Sequence, residues 1–181
     1  MSQHRIPNQL LALAQKIETD WSKQSGIVLD YSTTDYDERH KIIGKRYQQQ
    51  SAYATAAGNL LLEAFENGAF RKDNGLCNIL GEWRKRRQSL LRKPKRTWNH
   101  YTPEGCANRA FRDVCRHWLK YPRRGFDWRW KYRYLELEQS YALICRALAE
   151  YLEQEVELLQ KTAKESQQES ASVCIMTTEQ E

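Results

Sequence analysis

The chain is expected to be all-α, a single-domain bundle of about five helices. Three observations predict this. Apolar residues recur at helical spacing through most of the sequence. Proline, glycine and asparagine punctuate it at helix-length intervals. The one stretch with strand-like alternation, 126-FDWRWKYRYLELEQ-139, has no second strand to pair with. Residues 1–164 form the expected domain, with a basic central region at 83–133, and 165–181 form a C-terminal tail expected to be disordered.

The first helix opens at Pro7 and puts Leu10, Ala14, Ile17 and Trp21 on one face before stopping near Gly26. A loop follows, with a short extended piece at Ile27–Leu29. Thr34 and Asp37 have the spacing of a capping box. The second helix then carries Ile43, Tyr47, Ala54, Ala57, Leu61 and Phe65 as a stripe and ends at Asn67-Gly68. The third begins after Asp73-Asn74-Gly75, shares Leu76, Ile79, Leu80, Trp83, Leu90 and Leu91 on a face, and ends at Pro94. Thr102-Pro103 reads as an N-cap followed by proline in the first turn. The fourth helix has Ala107, Phe111, Val114 and Trp118 inside and closes at Pro122 and Gly125. The fifth starts near Trp128 and runs to about Lys164 on Leu137, Tyr141, Ile144, Leu148 and Leu152. The residues beyond it, 165-ESQQESASVCIMTTEQE, show no period.

With 29% charged residues and a mean hydropathy of −0.84, the sequence has no run long and apolar enough to span a bilayer. The Leu-rich N-terminus is interrupted by polar residues and lacks a cleavage site, so a cytoplasmic location is expected. Five widely spaced cysteines do not make a disulfide framework. Cys77, Cys115 and Cys145 fall among apolar positions, whereas Cys106 falls away from the apolar side of its helix. His100, Cys106, Cys115 and His117 therefore do not converge as a zinc site. No phosphate loop, nucleophile elbow or paired acids appear, so no enzyme, metal or cofactor is expected.

The net charge of +6 conceals a strong asymmetry. Residues 83–133 hold 17 basic and 3 acidic side chains, and residues 134–181 hold 3 basic and 10 acidic. A block of that density calls for a polyanion, of which nucleic acid is the usual one, or for an acidic surface folded over it. On the fourth helix Arg109, Arg112, Arg116 and Lys120 align opposite the apolar side, interrupted only by Asp113. On the third, Lys85 and Arg92 lie opposite the core, with Arg86 and Lys93 beside them. Arg87 falls inside the apolar stripe and either snorkels or pairs with a carboxylate. Lys95 and Arg96, in the loop after Pro94, are placed to reach a backbone. As a helix, the alternating stretch sends Trp130 and Tyr134 inward and Trp128 and Tyr132 outward next to Lys131, where they could stack on unpaired bases or pack on protein.

Three places give a resemblance to the small helical subunit of type III-B (Cmr) CRISPR effector complexes. They are 73-DNGLCNIL-80, 117-HWLK-120 and 141-YALICRALAEYLEQE-155, within residues 47–159. The chain departs from that family in lacking a proline before the Asn-Gly-Leu turn, and in its longer N-terminus and basic 84–98 segment. The resemblance implies a non-catalytic subunit of an antiviral ribonucleoprotein, lining the path of RNA among other protein subunits. From the residues alone, a non-enzymatic nucleic-acid-binding protein comes first, with RNA or a single strand favoured. An assembly factor docking its basic surface on an acidic partner comes second. A sequence-specific DNA-binding regulator comes third, because the third and fourth helices are too far apart for a tight helix-turn-helix.

Overall fold

Hydrogen-bonded caps mark three of the described helix ends. Asp73 Oδ1 accepts the Leu76 backbone N–H at 3.0 Å and Thr102 Oγ1 accepts the Gly105 N–H at 3.0 Å. Each satisfies one of the orphan donors at a helix start. At Gly68, φ is +95°, a left-handed conformation that glycine adopts without strain. There the Ala69 N–H reaches Ala64 O and the Gly68 N–H reaches Phe65 O, the paired bonds of a Schellman ending.

The computed structural model describes residues 4–24, 36–92, 102–118 and 130–178, with side chains of the last stretch described over 137–167. Its helices are α1 (Arg5–Gln24), α2 (Tyr36–Glu66), α3 (Asn74–Arg92), α4 (Pro103–Trp118) and α5 (Trp130–Thr178). No strand occurs among the described residues. The all-α, five-helix expectation therefore holds. The proposed extended piece at Ile27–Leu29 and the Thr34 capping box lie outside the described residues.

α2 is the spine of the bundle. α1 and α5 pack together against one side of it, and α3 and α4 pack against another, with α5 also touching α4. The core joins these layers through Leu10, Ala14 and Ile17, through Ala54, Ala57 and Leu61, through Leu76 and Leu80, and through Phe111, Val114, Tyr141 and Leu148. Phe111 meets Tyr141 edge-on with centroids 5.1 Å apart, which ties α4 to α5. Arg146 clamps Glu18 through two bonds of 2.9 and 2.6 Å, tying α5 to α1. Phe70, at φ 66°, donates its N–H to Glu155 at 3.0 Å and stacks on Tyr151, which closes the α2–α3 connection over α5.

α2 and α4 approach closely enough that a Cβ built on Gly58 would lie 1.8 Å from Ala107 O. Asn108 bridges the same seam, donating to Ser51 O at 2.9 Å and reaching the Ser51 and Thr55 hydroxyl oxygens. A second polar seam joins three helices. On α1 and α2, Tyr53 donates to Asp20 at 2.5 Å and Gln49 donates to the Tyr53 hydroxyl. Beside it, Gln50 donates to the buried Glu138 of α5 at 3.2 Å. Burial raises the Glu138 carboxyl above its ordinary range, and the Gln50 bond and nearby Arg46 offset part of the rise.

Three expectations need correction. Leu91 is exposed, because it sits in the last turn of α3 beyond the buried apolar positions. Tyr47 is exposed too, in the N-terminal half of α2, where few residues are covered. Trp118 is only half-buried, set edge-on to Tyr151. α5 is described from Trp130 to Thr178, and Trp128, where its start is expected, lies outside the described residues. Residues 157–167 are exposed, so this end of the chain stands apart from the packed bundle, as the lack of period in the sequence implies.

Candidate nucleic-acid interface

α3 and α4 run antiparallel. The ring of His117 lies against Gly75, where a Cβ would come within 2.3 Å of it. Trp83 Nε1 donates to Asp113 at 2.9 Å, and Arg86 and Arg87 reach the neighbourhood of Cys106. α4 therefore has α3 on one flank and α2 on the other, with its apolar positions turned inward. Its buried set is wide: Cys106, Ala107, Asn108, Ala110, Phe111, Val114 and Cys115. At 100° per residue this covers roughly 200° of the helix. The expectation that Cys106 points away from the interior is thus overturned, because α3 covers the flank on which it lies.

The remaining arc of α4 carries cations. Arg109 and Arg116 are exposed at its crest. Arg112 is half-buried and leans to the α2 side, its guanidinium carbon 6.0 Å from the centre of the Tyr47 ring. Asp113 leans to the α3 side and serves two donors, Trp83 Nε1 through one oxygen and Arg116 at 2.8 Å through the other. On α3, Arg86 lies over the Trp83 ring at 5.0 Å. The array runs Tyr47, Arg112, Arg116, Asp113, Trp83, Arg86 across three helices, with cations set on aromatic faces at both ends. Burial pushes the Cys106 thiol up, and the positive charges of Arg86, Arg87 and Arg109 offset part of the rise.

The other sequence-derived candidates fall differently. Lys85 and Arg92 are exposed on α3, with Lys85 paired to Glu82 at 3.4 Å. Arg84, not singled out from the sequence, pairs with Glu66 of α2 at 3.8 Å. Arg87 is half-buried, with its Nε enclosed and unbonded among the described residues, which fits the snorkelling alternative. Lys93, Lys95, Arg96, Lys120 and Trp128 lie outside the described residues, as do the side chains of Lys131, Tyr132, Trp130 and Tyr134. Tyr47 was missed as a candidate because its spacing placed it in an apolar stripe. The available signal was its local company, with Lys45, Arg46 and three glutamines around it.

Three ion pairs among the described residues join hairpin cations to Glu66 of α2, Glu82 of α3 and Asp113 of α4. Those of α5 with defined partners turn elsewhere, Glu138 to Gln50 and Glu155 to the Phe70 N–H. Among the described residues no His, Cys, Asp and Glu cluster suited to a metal is assembled, and no helix is long and apolar enough to cross a membrane.

No family model, curated protein or solved structure matches the chain.

Proposed function

We propose that this is a non-catalytic nucleic-acid-binding protein of the cytoplasm, an RNA-binding subunit that works beside other proteins in a ribonucleoprotein of the CRISPR-effector kind. The observation that carries the reading is the crest of α4. Arg109 and Arg116 stand exposed there, with Arg112 beside them on the α2 flank of the same helix. Three arginines against the one carboxylate of Asp113 leave this arc of α4 net positive, which favours a phosphate backbone and the release of its condensed counterions. The membership in such a complex rests on the resemblance of the 73–80, 117–120 and 141–155 segments.

The test is fluorescence anisotropy against a single-stranded RNA, a duplex DNA and an uncharged polymer of similar size, across a range of salt. The parent should bind the nucleic acids and ignore the uncharged polymer. Arg109→Gln with Arg116→Gln should flatten the slope of log affinity against log salt by about 1.4, at roughly 0.7 per phosphate on a single strand. An unchanged slope would refute a phosphate contact at the crest. A second reading, an assembly factor docking on an acidic protein, draws on the α3 pairs of Arg84 with Glu66 and Lys85 with Glu82, which give that helix a mixed-sign face. It gains if nucleic acid fails to bind at all.

A further inference from the structure

Tyr47 presents a flat aromatic surface to solvent part-way along α2, beyond the exposed Tyr36 of the first turn. It is 55% exposed, and Arg112 stands over its ring. Directly along α2 from it, Gln48, Ser51, Ala52, Thr55, Ala56 and Asn59 line a shallow, widely open recess. At helical spacing, Ser51 and Thr55 follow Tyr47 one and two turns on, so ring and recess adjoin. None of the lining residues is charged. Ser51 and Thr55 are already engaged by Asn108, which leaves the side-chain amides of Gln48 and Asn59 as the polar groups facing the opening. Arg112 sits between this recess and the Arg109–Arg116 crest.

We propose that Tyr47, backed by Arg112, and the α2 recess beside it form a seat for an unpaired nucleotide, so that the nucleic acid held by the α4 crest is a single strand. This rests on the reading of the crest as a phosphate-binding surface. Four features match such an occupant. A nucleobase is planar and gains its affinity by stacking on an aromatic ring. A guanidinium over that ring's neighbourhood adds a cation–π contribution. Base edges carry both donors and acceptors, which carboxamides such as Gln48 and Asn59 can meet in either sense. The phosphate joined to such a base is drawn toward Arg112 and Arg116. A duplex offers no open base face to Tyr47. A protein helix seated in the same recess would find only Ala52 and Ala56 as apolar floor, and the recess is too shallow to enclose an anchor residue, whereas a base needs only the open ring face of Tyr47 beside it.

The experiment compares the parent with Tyr47→Leu and Tyr47→Phe on a 12-nucleotide single-stranded RNA and on the matching duplex, with 2-aminopurine in the strand to report stacking. Because Tyr47 is exposed, the variants should keep the parent circular dichroism spectrum and melting midpoint. Tyr47→Leu should weaken single-strand binding by about 5- to 150-fold and abolish part of the 2-aminopurine quenching. Tyr47→Phe should bind like the parent, and duplex affinity should not change. If Tyr47→Leu leaves single-strand binding intact while Arg109→Gln with Arg116→Gln weakens it, the nucleotide seat is wrong and the crest reading stands. If Tyr47→Leu weakens single strand and duplex equally, the seat is also wrong. If the parent binds neither nucleic acid, both readings fall together.

Discussion

One added methyl group at Gly58 should separate the two helices that hold the candidate site together. A Cβ there would lie 1.8 Å from Ala107 O, 2.4 Å from its carbonyl carbon and 3.1 Å from its Cα. The obstruction is backbone, so no side chain can swing aside, and α2 and α4 must part by more than an ångström to restore ordinary contact. Overpacking a tight core costs typically 1–3 kcal/mol, and a clash with backbone belongs at or above the upper end. Against this, replacing glycine by alanine in a helix gains about 1 kcal/mol. The net for Gly58→Ala is a loss of about 2–3 kcal/mol, or roughly 4–12 °C in midpoint for a chain of this size. Gly44 provides the internal comparison: it lies in the same helix, is exposed, and nothing stands within 4 Å of the position of its Cβ. Gly44→Ala should therefore raise the midpoint by roughly 2–4 °C. The assay is thermal unfolding by circular dichroism on both variants beside the parent. If Gly58→Ala stabilises as Gly44→Ala does, the close α2–α4 crossing is refuted. With it would go the placement of Tyr47 beside Arg112.

Two further outcomes are expected. The folded protein holds the Glu138 proton more tightly than the unfolded chain does, so stability falls as pH rises from the ordinary carboxyl range through the raised folded value. Glu138→Gln keeps the pairing with Gln50 and cannot ionise. Its midpoint should overtake the parent's across that window, and an advantage that does not grow with pH would contradict a buried, ionising carboxyl. Truncation after Lys164 removes the stretch without apolar period, and the described side chains around the cut, 157–167, are exposed. The midpoint should move by no more than about 2 °C, and a larger fall would mean that the end of α5 packs on the body.

Much of the helix framework was legible because its signals are local. Thr102 with Pro103, Asp73 before Asn74-Gly75, and Asn67-Gly68 act through hydrogen bonds and backbone angles only a few residues long, and the helices begin and end where those residues stand. The buried positions Leu10, Ala14, Ile17, Leu61, Leu148 and Leu152 were equally legible, since each keeps helical spacing with its neighbours. The candidate surface was only half legible. Periodicity identified Arg109 and Arg116 as outward residues. It did not show that α3 covers Cys106 or that Arg112 leans on Tyr47. Nor did it show that Asp113, read as a mere interruption, gathers Trp83 and Arg116.

By itself, then, the sequence determined the number of helices, the ends marked by Asn67-Gly68, Asp73 and Thr102-Pro103, the central part of each inward face and the basic block at 83–133. All of these depend on residues adjacent in the chain or one turn apart. Only the tertiary structure decided which flank of α4 meets α2 and which meets α3. That choice depends on the absence of a side chain at Gly58 and on partners far apart in sequence, Asn108 with Ser51 and Trp83 with Asp113. A helical period states how wide an apolar face is. It carries no information about the neighbour that covers it, so the cation–aromatic array across α2, α4 and α3 exists only once the helices are packed.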